Sequence, residues 1–176
     1  MLDESDARKH PLYDVFNDEN SVFRSSCNPW EYTRACYMRW LAYAVAGNYF
    51  ADLDVINYGF TNKDADDLRS EMGGPLFVSH AAAVGLFKGD EYSDIINSLV
   101  NYKNAPFVSG YIEADINDMT ILAECIPNRF TIARTDDVRI AKDYSLPGWD
   151  IAKLVHYPYH YTKPPRAMTV KTERPV

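Results

Sequence analysis

No apolar run in this chain reaches the roughly 20 residues that a bilayer-spanning helix needs; the uncharged stretch Trp40–Ala51 stops far short and is bracketed by Arg39 and Asp52. A membrane is therefore not an expected partner. Cations are also in deficit. Eighteen Lys and Arg stand against twenty-five Asp and Glu, a net charge of -7, whereas phosphate contacts require clustered positive charge. Direct sequence-specific binding of nucleic acid is not expected. The three cysteines, Cys27, Cys36 and Cys125, are an odd number without CxxC spacing, so neither a disulfide framework nor a zinc ribbon is indicated. They read as reduced thiols in a cytosolic setting. The opening MLDESDARKH has no apolar core and no Arg-rich amphipathic pattern, which speaks against secretory or organellar targeting. Gly73-Gly74 is not followed by the Lys-Ser/Thr pair of a phosphate loop. No cofactor or metal is expected.

What the chain does have is aromatic residues, at 14%, with thirteen tyrosines among its 176 residues. A chain of this length, with 47% hydrophobic residues, can build one core without staples. The stretch from Pro29 to Val55 is the obvious centre of that core. Asn28 is placed to act as N-cap, Pro29 then takes the first helical position, and Glu31 lies three residues past the cap. Tyr37, Leu41, Ala44, Val45 and Tyr49 follow helical spacing while Trp40, Tyr43, Phe50 and Ala51 fill the opposite side, so both faces should be buried. Gly47 in its interior points to a close backbone contact or a break into two helices.

Around this helix the pattern predicts shorter elements. Thr61 or Asn62 caps a polar helix that stops at Gly73-Gly74, and Asp64, Asp66 and Asp67 suit its positive N-terminal end. Pro75–Val78 reads as a brief strand, and Ser79 opens an Ala-rich helix running through Phe87. Asp90 caps an amphipathic helix from Glu91 to Tyr102, in which Tyr92, Ile95, Ile96, Leu99 and Val100 recur at i, i+3 and i+4. Period-two texture then predicts strands near 106–113, 119–126 and 129–134. Asp136-Asp137 caps a short helix through VRIAKDY, and DIAKLVHY is either strand or helix. The expected fold is α+β: a central buried helix with two or three shorter helices packed on a small antiparallel sheet, and extended N- and C-terminal arms. The expected divisions are an arm over 1–28, one core domain over 29–155 and an extended Pro/Tyr-rich basic tail over 156–176, which with Pro158, Pro164, Pro165 and Pro175 cannot form regular helix.

Three stretches invite a chemical reading. Glu113, Asp115, Asn117 and Glu124 fall at positions 1, 3, 5 and 12 of a calcium loop, but Asp118 replaces the glycine of position 6 and Thr120 the aliphatic of position 8. An acidic hairpin loop with Glu124 facing solvent is the expectation. His156 and His160 would share a helical face for zinc, but Pro158 removes the helix, and at roughly 3.3 Å per residue an extended chain separates them. Cys36 or Cys27 with His80 would be needed for thiol chemistry, and no small-residue elbow surrounds either cysteine.

Function is therefore expected at the ends. Tyrosine joins a large apolar ring to a polar handle and suits surfaces buried on assembly. From Lys153 onward five cations face the single anion Glu173 on an otherwise acidic chain. Tyr13, Phe16, His156, Tyr157, Tyr159, His160, Tyr161, Lys163 and Arg166 are the candidate partner-binding residues. The expectation is a non-enzymatic structural subunit of a large homo- or hetero-assembly, cytoplasmic or, if viral, in a virion. A tailed-phage head-tail joining, neck or minor capsid protein is the specific case, by analogy of size and ends. The alternative is a small cytosolic enzyme, a hydrolase using Cys36, His80, Glu113 or Asp115.

Overall fold

The computed structural model describes residues 2–22, 28–52, 55–78, 84–101, 118–126, 130–131, 138–140 and 153–156. Six helices, α1 (Glu4–Ala7), α2 (Tyr13–Asn17), α3 (Trp30–Ala46), α4 (Asn62–Glu71), α5 (Tyr92–Val100) and α6 (Asp118–Cys125), combine with seven short strands among these residues. The strands are β1 (Phe50–Ala51), β2 (Val55–Asn57), β3 (Leu76–Val78), β4 (Val84–Leu86), β5 (Phe130–Thr131), β6 (Val138–Ile140) and β7 (Leu154–His156). The fold is α+β, with α3 at its centre; Tyr37, Met38, Trp40, Leu41 and Ala42 are buried, but Tyr32 and Val45 are exposed, so the helix is not covered on both faces as expected.

Helix α3 begins one residue later than its sequence suggests. Pro29, with extended backbone, is the N-cap, and no side chain caps the helix, so the Asn28–Glu31 box does not form. Gly47 ends α3 in the left-handed conformation, φ 66°, and a Cβ there would lie 3.6 Å from the backbone of Gly89. The glycine thus marks both a helix end and a close approach, as its position implied.

Sheet one runs β1-β4-β3-β5 and sheet two β2-β7-β6. The pairs β1/β4, β3/β4 and β2/β7 are antiparallel, while the edge pairs β3/β5 and β6/β7 are parallel. All three residues of β3 are buried, which alternation explains. Phe77 enters the cluster around α3, with Trp40, Phe50, Phe87, Tyr92, Ile95 and Leu99. Leu76 and Val78 enter a second cluster with Ala65, Leu68, Val84, Leu86 and Leu154. Sheet one is therefore a middle layer. Gly85 sits in register with both Phe50 and Phe77, and a Cβ there would come within 3.3 Å of Phe50 and Phe87, so the missing side chain makes room for aromatic packing: Trp40 to Phe50 at 4.6 Å and Phe77 to Phe87 at 4.7 Å between ring centroids.

Several local readings hold and several are corrected. Thr61 caps α4 in a reciprocal box with Asp64, and the neighbouring acids are paired with lysines, Asp64 to Lys153, Asp66 to Lys88 and Asp67 to Lys63. Tyr92, Ile95, Ile96 and Leu99 of α5 are buried as their periodicity requires, although a 3-10 turn at Gly89–Glu91 leads into the helix in place of an Asp90 cap. Val84–Leu86 is a strand, not part of an Ala-rich helix; residues 79–83 lie outside the described residues. The expected strand 119–126 is helix α6, and the expected helix through VRIAKDY holds strand β6. MTILAE suits either state by composition, and the pairing of Val138–Ile140 with β7 is nonlocal, so neither could be settled by local pattern. DIAKLVHY resolves to strand β7 at its end. The expected strand at 106–113 lies outside the described residues.

The N-terminal segment is not an extended arm over its described part. Asp3 caps α1, and Glu4 accepts from Tyr13 Oη (2.6 Å), Arg8 Nη2 (2.6 Å) and Arg34 Nη1 (3.1 Å) and Nη2 (2.9 Å). Arg34 Nε donates to Asn17 at 2.6 Å. These bonds fasten α1 and α2 to α3, and Ala7, Tyr13, Phe16 and Val22 join the main core.

Two tests follow from this packing. Gly85→Ala should destabilise the protein by about 1–3 kcal/mol through overpacking, and Phe87→Leu in the same chain should recover part of the loss; denaturant unfolding of the single and double variants measures this coupling. The bonds from Arg34 and Tyr13 lower the Glu4 carboxyl from 4.5 to about 2. Because the folded value is the lower one, the anchor is at full strength above pH 4.5 and is lost as pH falls through 2. The Glu4 carboxyl carbon should titrate near the lower value by NMR, and Arg34→Met should move it back toward the upper one.

Candidate functional site

Residues Tyr32, Cys36 and Arg39 lie at i, i+4 and i+7 on α3, with Thr33 and Tyr37 on the adjacent stripe. They form one wall of a cleft of about 140 Å³ closed by Asn28, Asp52 just after β1, and Asp118 and Met119 at the start of α6. Sequence-distant residues meet here because Trp40, fully buried, needs a partner for its indole N–H: Nε1 donates to Asp118 Oδ2 at 2.7 Å. The same oxygen accepts from Arg39 Nη2 at 3.0 Å, and Arg39 Nη1 donates to Asp52 Oδ2 at 2.9 Å. The guanidinium also stands 5.2 Å from the ring centres of Trp40 and Phe50. Asp118 is only 5% exposed, and two charge-assisted bonds compensate its desolvation.

This electrostatics shapes the chemistry. Burial works against the Arg39 charge, but Asp118 and Asp52 more than offset it and hold its pKa above the ordinary value. Burial first, then the Asp118 charge, pushes the Cys36 thiol up to about 11, against which Arg39 and Tyr32 pull only partly. Cys36 is thus a protonated thiol at neutral pH, the opposite of an activated nucleophile. The arrangement can bind through hydrogen bonds; it does not supply a thiolate.

Of the expected partner-binding residues, Tyr13, Phe16 and His156 lie among the described residues. Tyr13 and Phe16 face inward, 7% and 0% exposed, and Phe16 packs on Tyr37 at 5.5 Å, so their rings are core residues and do not offer a docking surface. His156 is the last residue of β7, in register with Val55 and Ile140, so its backbone belongs to sheet two. Tyr157, Tyr159, His160, Tyr161, Lys163 and Arg166 lie outside the described residues, as do Cys27, His80, Glu113, Asp115 and Asn117. Asp118, at the calcium-loop bend, is instead bonded to Arg39 and Trp40, and residues 118–125 are helix where a hairpin loop was expected. Among the described residues no three His, Cys, Asp or Glu side chains converge as metal ligands, and no helix is long and apolar enough to cross a membrane.

Arg39 had one visible signal, a charge at the edge of the uncharged stretch Trp40–Ala51. Asp118 had none, since its partner lies 79 residues away.

In a variant carrying Cys27→Ser and Cys125→Ser, alkylation of Cys36 by iodoacetamide should rise with a midpoint near pH 11; a midpoint at the ordinary cysteine value of about 8.5 contradicts the buried, carboxylate-flanked thiol. No protein-family model, curated protein or solved structure matches the chain.

Proposed function

We propose that the protein is a non-enzymatic structural subunit of a multi-chain assembly, engaging neighbouring subunits through the segment that follows β7. The supporting observation is charge opposition within one chain. Of 18 basic and 25 acidic residues, four basic and one acidic lie beyond His156, which leaves 14 against 24 on the preceding 156. A basic, aromatic segment with Tyr157, Tyr159, His160, Tyr161, Lys163 and Arg166 complements the acidic body of a second copy, and such complementarity favours rapid, oriented association. Proline limits the conformational freedom that the segment loses on docking. The bonding of α1 and α2 into the core argues against the N-terminal segment as the assembly element.

The raised pKa of Cys36 supports this reading over a thiol hydrolase. Among assemblies, a virion component of a tailed phage, at the head-tail joint, neck or minor capsid positions, is the specific proposal. It rests on analogy of size and on the basic end.

Light scattering tests the reading. The full chain should form oligomers that weaken as salt screens their charges, and a chain ending at His156, which keeps β7, should be monomeric with unchanged thermal stability. Two monomeric forms at high concentration, together with no binding of a 157–176 peptide to the shortened protein, would overturn assembly through this segment between copies of the chain.

A further inference from the structure

The turn between α1 and α2 is closed by a histidine at a place where such turns favour asparagine or aspartate. It runs from His10 to Tyr13, whose N–H donates to His10 O at 3.0 Å. Leu12, with φ -95° and ψ 14°, has the backbone of the third residue of a type I turn. Pro11 takes the second place, which suits proline, and having no N–H it leaves Leu12 as the first amide after His10. That amide donates to His10 Nδ1 at 3.2 Å. An asparagine carbonyl makes the same bond to the backbone two residues on. Here it secures the entry to α2, whose N-cap Leu12 supplies no side-chain cap.

The imidazole differs from an amide in that it titrates. Its Nδ1 accepts only while unprotonated; in the imidazolium both nitrogens are donors, and an N–H then confronts the N–H of Leu12. The charged and titratable groups of the elements packed here have other partners. Glu4 is bonded to Arg8 and to Arg34 of α3, and Asp6 to Lys9. Asp3 caps α1, and Tyr13 of α2 donates to Glu4. Asp14 of α2 and Glu31 of α3 complete the set, and none of these groups shifts His10, whose pKa burial alone holds below its ordinary value. We propose that His10 is a pH-sensitive latch: neutral, it closes the turn that seats α2 on α3, and its protonation opens that turn. Because the folded value is the lower one, the latch is at full strength above pH 6.5 and weakens as pH falls below it. The Glu4 anchor holds down to pH 4.5, so mild acid acts on the turn and leaves the anchor in place. Phe16 of α2 packs on Tyr37, which lines the cleft, and opening the turn loosens the cleft wall from behind. The latch is independent of assembly through the C-terminal segment.

Nitrogen-15 NMR of the full chain should show neutral His10 with its proton on Nε2; a proton on Nδ1 at neutral pH overturns the proposal. Hydrogen exchange reads the opening. Between about pH 8 and about pH 5, the range in which histidine changes charge, protection of the Phe16 amide, which bonds Leu12 O at 3.1 Å, should fall about fivefold relative to the amides of α5. That is the equilibrium equivalent of one hydrogen bond. His10→Asn keeps an acceptor two residues before Leu12 but does not titrate, and it should hold the ratio constant. An unchanged ratio in the unaltered protein overturns the latch, as does an equal fall in His10→Asn. If the asparagine variant does not fold, the tautomer and the ratio in the unaltered protein decide.

Discussion

The indole of Trp40 must be packed on its faces and bonded at its edge, and both conditions are met only when three distant parts of the chain come together. The ring is fully buried against Phe50 and Phe77, which fixes α3 on sheet one. Its N–H reaches Asp118, which fixes the start of α6 on α3. A buried carboxylate needs compensation, and Arg39, one residue before the tryptophan, provides it while drawing in Asp52. The cleft is the space bounded by this arrangement. Its polarity is a result of how the core closes.

This also accounts for the contrast between the two faces of sheet one. On the α3 side, aromatic rings pack around a glycine and are joined to a charged network. On the other side, Leu76, Val78, Val84, Leu86 and Leu154 form an aliphatic layer with α4, and the ion pairs there, Lys153 with Asp64 and Lys88 with Asp66, are partly exposed and contribute little each. Specific geometry is concentrated on the first face. The second provides bulk burial.

How much of this could be read in the residues depends on the range of the interactions. Helix α5 was legible because its four buried residues lie within eight positions. The capping box of α4 was legible because Thr61 and Asp64 are three apart. The segment 118–125 was misread because its apolar residues suit strand as well as helix and what decides is Asp118 meeting Trp40 and Arg39. The N-terminal segment was misread for a related reason: Tyr13 and Phe16 have helical spacing, but the helix holding them is only five residues long, and Glu4 and Arg34, which secure it, are 30 apart. The site's pairs Arg39–Asp52 and Arg39–Asp118 were hidden likewise. Charges that look like the boundaries of an apolar stretch are the wall of the cleft.

Sheet two has a consequence in time. Its central strand β7 pairs Leu154–His156 with Val55–Asn57 on one side and Val138–Ile140 on the other, so β2 waits for a partner about a hundred positions later in the chain. Helices α1 to α3 can associate soon after they emerge from a ribosome, because the bonds that join them span no more than 30 positions. The second sheet cannot close until residue 156 has cleared the exit tunnel. Through that interval β2 presents unpaired backbone groups, and loop closure over such a distance is slow. Synthesis thus yields an early helical unit and a late sheet, with β7 needed to join β2 to β6.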